Sequence, residues 1–214
     1  MLFTARVPRR IGYRGEARSA MLTDAVPRDK ALLRTHRVHY YHRLLESLGK
    51  PPAAEAPTIE VPAGALEWAD AHLPKQRPLI AINPGATYGE AKQWFPERFI
   101  EVGRKLRAAV VTVGGPAEAA LGERVAKEIG NGAVSLSGRT DIPQLAAVLK
   151  RSSLLLTNDT GPMHVADAVG TPIVAVFGPT DTVTTPPYRK NHVIVRKEME
   201  CSPCLKRACP LGHH

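Results

Sequence analysis

An α/β domain built on a doubly wound parallel sheet is the fold class this sequence predicts, on three observations. From Pro78 onward, short apolar runs alternate with longer amphipathic stretches. The short runs are apolar at successive positions rather than at every second one, the pattern of strands covered on both faces. The 214 residues, 43% hydrophobic, supply one solid core and are marginal for two complete α/β domains.

The elements follow in order. "LIAIN" (79–83) reads as the first strand, and "PERFIEVGRKLR" (96–107) as a helix that opens on proline in its first turn. "AVVTV" (109–113) is a strand, "AEAALGERVAKEI" (117–129) a helix and "AVSL" (133–136) a short strand. "DIPQLAAVLKRS" (141–152) is helical and "SLLLTN" (153–158) extended. "PMHVADAV" (162–169) is a helix that Gly170 ends, and "PIVAVF" (172–177) a strand. The domain is therefore Rossmann-like and is expected to cover residues 78–200.

The first half is less regular. Residues 1–48 form a basic arm, with Arg6, Arg9, Arg10, Arg14 and Arg18, followed by a helix over "DKALLRTHRVHYYHRLLESLG". The arm has too few apolar residues for a core of its own. "GKPPAAEAPTIEVPAG" carries four prolines, so residues 49–77 read as a linker with a short helix. Residues 1–50 hold 11 Lys/Arg against 4 Asp/Glu, or +7, and the other 164 hold 18 against 16, or +2. The excess charge points to an anionic partner or to a solvated face. No apolar run exceeds strand length and the N-terminus lacks signal-peptide order, so a cytoplasmic protein is expected.

Three loops follow strand ends, where open parallel sheets bind ligands. In "NPGATYGEAKQWFP", Gly85 and Gly89 let amides approach an anion, Thr87 offers a hydroxyl and Lys92 a cation suited to phosphate. In "GGPAE", Glu118 either accepts from ribose hydroxyls or is an exposed carboxylate favoured by the dipole of a first helical turn. In "TNDTGPMH", Thr160 can cap a helix, Gly161 exposes amides and Pro162 suits the first turn, which together make an anion pocket. Asp159 would repel a phosphate and should face sugar hydroxyls instead. His164, one turn along, is either part of the site or a satisfied helix histidine. The tail, residues 201–214, holds all three cysteines. Cys201, Cys204 and Cys209 with His213 and His214 could ligate zinc, the alternative being a reduced, mobile tail.

"NPGATYGEAKQWFPERF", "VGGPAE", "TNDTGPMHVADAVGTPIVAVFGPTDTVTTPP" and "CSPCLKRACPLGHH" together resemble the ADP-heptose:lipopolysaccharide heptosyltransferases, type II branch. The resemblance implies the C-terminal half of a GT-B glycosyltransferase, with residues 1–48 the last part of an acceptor-binding domain. It implies an ADP-L-glycero-D-manno-heptose donor, an anionic lipopolysaccharide inner-core acceptor, and inverting transfer without a catalytic metal or other cofactor. No nucleic acid is expected, and peripheral contact with the cytoplasmic face of the inner membrane is left open. By motif position, Lys92 and Thr87 would contact the diphosphate and Glu118 the ribose. Asp159, Thr160, Gly161 and His164 would meet the phosphate and heptose. The family's acidic general base falls outside this chain, so the chain by itself is expected to be inactive. Two rivals stand: a GT-B transferase with another nucleotide sugar, and a nucleotide-binding module whose basic arm contacts nucleic acid.

Overall fold

The computed structural model describes residues 6–15, 17–51 and 55–212. The chain divides into two compact units, Met1–Ala56 with Val183–Pro186, and Pro57–Thr182 with Pro187–His214. Part of the expected linker, residues 52–54, and His213 and His214 of the expected zinc set lie outside the described residues.

In the smaller unit, β1 (Ile11–Tyr13) pairs in parallel with β2 (Asp24–Val26). The expected single helix is two, α1 (Lys30–Leu33) and α2 (Arg37–Glu46). The break has a local cause. His36 leaves helical geometry and its Nδ1 accepts from the Val38 amide at 3.2 Å, while Nε2 lies 2.9 Å from the Pro186 carbonyl. A side-chain cap of this kind starts a new helix rather than continuing the old one. Contrary to expectation, the arm has a small core: Tyr13 and Val26 are buried, and the Tyr13 ring lies 4.3 Å from that of Tyr40. Burial pushes the Tyr13 phenol up from its ordinary pKa. Part of the basic charge is structural, since Arg9 pairs with Asp24 at 3.4 Å and Arg10 donates to the Met21 carbonyl at 2.6 Å.

The larger unit is the doubly wound domain. Its strands are β3 (Leu79–Asn83), β4 (Ala109–Thr112), β5 (Val134–Ser135), β6 (Leu154–Asn158), β7 (Ile173–Val176) and β8 (His192–Val195). They lie in the order β5-β4-β3-β6-β7-β8, with every pair parallel. Helices are α3 (Ala63–His72), α4 (Pro96–Lys105), α5 (Ala119–Ile129), α6 (Ile142–Arg151) and α7 (Gly161–Val169). Pro96 opens α4, Asp141 and Gln144 form a reciprocal cap on α6 at 2.7 and 3.0 Å, and Gly170 closes α7 at φ 84°.

Alternate residues of each strand serve opposite faces, which is why the runs are continuously apolar. Leu79 and Ala81 of β3 join Ala69, Val148, Met163 and Ala166 in the core beneath α3, α6 and α7. Ile80 and Ile82 join Phe99, Ile100, Val125 and Ile129 beneath α4 and α5. Helix α3, expected in the linker, contributes Ala65 and Ala69 to the first core, so the domain begins before residue 78. β8 was not expected. It is an edge strand with Val193 and Val195 exposed, and its short alternating run carries little periodic signal.

Phe99 is fully buried and meets the Trp94 ring edge-on at 5.0 Å. Phe99→Ala should lower unfolding free energy by about 3 to 5 kcal/mol, seen in urea denaturation as a lower midpoint at unchanged slope.

Candidate functional site

The winding of the sheet reverses between β3 and β6. From β3 the chain crosses through α4 to β4 on one side, and from β6 through α7 to β7 on the other. Loops leaving the two strands diverge there and open a crevice at their carboxyl ends. The loop after β3 runs from Pro84 to Phe95 and includes a short 3₁₀ turn, Glu90–Lys92.

Asn158, the last residue of β6 and fully buried, ties down both ends of that loop. Its amide nitrogen donates to the carbonyls of Pro84 at 3.0 Å and Gly85 at 3.1 Å, and its oxygen accepts from the Trp94 amide at 2.9 Å. The next residue, Asp159, receives Lys92. The Lys92 Nζ lies 2.6 Å from Asp159 Oδ2 and 3.3 Å from its carbonyl, and the Thr180 hydroxyl donates to the same Oδ2 at 2.6 Å. The lysine side chain is 14% exposed and the carboxylate 4%. A pair this buried holds only with such added hydrogen bonds, because desolvation opposes it. Asp159 Oδ2 is thus engaged with Lys92 and Thr180, and Asp159 holds the lysine.

Glu118 ends a 3₁₀ turn after β4. Its Oε2 accepts from the Gly115 amide at 2.8 Å, and its Oε1 is buried with no protein partner. A Cβ on Gly85 would fall 2.2 Å from Oε1, and one on Gly114 would fall 2.8 Å from Oε2. The carboxylate thus lies over bare backbone of the β3 loop instead of standing out in solvent. Gly85 matters here for close approach rather than for amide exposure.

Thr160 is the N-cap of α7 as expected, yet its hydroxyl makes no cap bond. Gly161 is exposed and a Cβ there would meet nothing within 4 Å, which leaves the helix start open. His164 is exposed on the first turn, and Thr87 is exposed on the β3 loop.

The tail is an ordered part of this region. Leu205 donates from its amide to the Pro179 carbonyl at 2.9 Å, and the Arg207 carbonyl accepts from the Ala91 amide at 3.0 Å. The Tyr88 hydroxyl donates to the Leu205 carbonyl at 3.0 Å, and the Ser202 hydroxyl to the Gly178 carbonyl at 2.7 Å. These bonds tie residues 202–207 to the β3 loop and to the segment after β7. Cys201, Cys204 and Cys209 form no disulfide, and among the described residues no three Cys, His, Asp or Glu side chains gather in a metal-sized group. Among the described residues no helix is long and apolar enough to cross a membrane.

The structure brings Lys92 and Asp159 into contact and sets Glu118 against the same loop. The sequence reading missed Asn158 and Thr180, and it gave the tail no contact with the β3 loop. Asn158 looked like a strand terminus, Thr180 was one of several loop hydroxyls, and no local pattern reports that residues 205–207 return to Tyr88.

An open parallel sheet in this order places the larger unit in the doubly wound class of α/β domains, in which ligands bind at the carboxyl ends of the strands beside the switch point. A model of glycosyltransferase family 9 (heptosyltransferase) matches residues 1–214, and the chain belongs to that family. Lipopolysaccharide heptosyltransferase 2 of Salmonella typhimurium is 31% identical over 210 residues, 91% of this chain and 60% of that protein. Lipooligosaccharide heptosyltransferase 2 of Campylobacter jejuni is 32% identical over 149 residues, 66% and 47%. The structure of E. coli ADP-heptose lipopolysaccharide heptosyltransferase II superposes with a TM-score of 0.80 at 26% identity, covering 94% of this chain and 65% of that one. The chain spans 47% to 60% of the length of these two curated relatives.

Asp159→Ala should cost about 3 to 5 kcal/mol, because it strands a largely buried ammonium. The double change Lys92→Met with Asp159→Asn should cost less than Asp159→Ala alone, since no buried charge remains. Urea denaturation of the three proteins checks the order.

Proposed function

We propose that the chain is the donor-binding part of a heptosyltransferase, and that it binds ADP-L-glycero-D-manno-heptose for transfer to the anionic inner core of lipopolysaccharide. The observation that carries this reading is Lys92, fixed by Asp159 at the switch point, in a chain matched throughout by the heptosyltransferase family. The relatives named for lipopolysaccharide and for ADP-heptose support the choice of acceptor and nucleotide. An ammonium has three protons, and its contacts with Asp159 leave donor capacity for a diphosphate oxygen. Glu118 Oε1, buried and without a protein partner, suits a ribose hydroxyl. The open start of α7, with Thr160, Gly161 and His164, suits the phosphate and sugar end, and Thr87 on the loop rim suits the diphosphate.

The basic segment 1–50 is read as attracted to the anionic acceptor, which lies at the membrane's cytoplasmic face, and not to nucleic acid. Titration with ADP-heptose, a UDP-sugar and an oligonucleotide at two salt concentrations separates this reading from its rivals. Saturable, sugar-dependent binding of the ADP compound supports it, and preference for the oligonucleotide rejects it.

Lys92→Ala should weaken ADP by one to two decades while leaving adenosine nearly unchanged, since a charge-assisted contact is worth roughly 1.5 to 3 kcal/mol. The loss should sit at the upper end, because Asp159 is then left to repel the phosphate. Gly85→Ala should give the opposite pattern. By displacing the Glu118 carboxylate it should weaken adenosine and ADP alike, by about tenfold. Calorimetric titration of both ligands checks each pattern.

A further inference from the structure

We infer that Arg207, in the cysteine-bearing tail, supplies a second cation to the diphosphate of the donor. This rests on the donor-binding reading above and extends it to a residue outside the three strand-end loops.

Lys92 and Asp159 form a 2.6 Å pair and together carry no formal net charge. A diphosphate brings more than one negative charge into the same crevice, so Lys92 by itself leaves the occupied site net negative. A second cation within a short range, before salt screens it, would offset that charge.

Arg207 is placed to be that cation. Its guanidinium lies 5.1 Å from the centroid of the Tyr88 ring, and the Lys92 ammonium lies 4.9 Å from the same centroid. Both distances fall in the range of cation–π attraction. One ring on the β3 loop therefore gathers two cations. The guanidinium is exposed and, among the described residues, no carboxylate pairs with it. Its planar fork of donors matches two phosphate oxygens.

Arg207 is also held in place. Its carbonyl accepts from Ala91, and Leu205 accepts from the Tyr88 hydroxyl and donates to Pro179. Leu205 adopts φ 57°, a conformation that a leucine keeps only where its surroundings over-determine it. On the other side, Gly89 sits at φ 152°, and a Cβ there would fall 2.4 Å from the Arg207 carbonyl oxygen. The glycine leaves the gap into which the tail backbone fits.

The test measures ADP and adenosine affinity at two salt concentrations for the unaltered chain, Arg207→Gln, Arg207→Lys, Gly89→Ala and Lys92→Ala. Arg207→Gln should weaken ADP about tenfold, leave adenosine unchanged and flatten the salt dependence, with Arg207→Lys recovering part of the loss. Gly89→Ala should displace the tail and reproduce the Arg207→Gln pattern, and combining the two should add little. Failure of the unaltered chain to bind ADP would remove the donor-binding reading and this inference with it. Loss of ADP binding in Lys92→Ala, with Arg207→Gln indistinguishable from the unaltered chain, would overturn this inference alone. Equal weakening of ADP and adenosine by Arg207→Gln would overturn it too, since that is the signature of a general structural role.

Discussion

The buried amide of Asn158 is the interaction on which the crevice depends. Where a doubly wound sheet reverses direction, the loops from two neighbouring strands part and leave backbone groups without strand partners. A single side chain with both donor and acceptor meets that need. Asn158 satisfies two carbonyls at the start of the β3 loop and one amide at its end. The residue after it, Asp159, then finds Lys92 from the same loop within reach. Closing the loop and placing the cation are thus consecutive steps along one strand end.

The buried pair has a further effect. Lys92 and Asp159 are costly to hold apart from water, so each is fixed by more than the other: Thr180 donates to the carboxylate, and Tyr88 lies by the ammonium. A lysine on a free loop would sample many rotamers, and ordering it would weaken binding. Here much of that ordering precedes any ligand. The tail adds to the same order by bonding to Tyr88 and Ala91, so the rim of the crevice is built from three distant stretches of chain.

Apolar periodicity made the main strands and helices legible because each is stabilised by its own repeating pattern against a common sheet. The failures share a cause as well. The helix expected across residues 29–49 breaks at His36, whose ring caps a new start and reaches Pro186, a contact 150 residues away in sequence. Helix α3 looked like part of a linker because prolines precede it, while its small residues Ala65 and Ala69 fit the sheet closely. β8 has one strand neighbour and an exposed face, so little in its composition separates it from a loop.

The sequence by itself determined the doubly wound domain, the order of strands β3 to β7 and helices α4 to α7 along the chain, and Lys92, Glu118 and Asp159 as residues following strand ends. Each follows from local spacing: apolar runs of strand length, a cap or glycine at a helix end, a polar cluster directly after a strand. Only the tertiary structure decided what those residues touch. Asp159 is engaged by Lys92 and Thr180, Glu118 is folded over Gly85, and Arg207 is brought beside Tyr88. Such contacts join residues tens to more than a hundred positions apart, and they form because strand order, not sequence distance, sets which loops are neighbours.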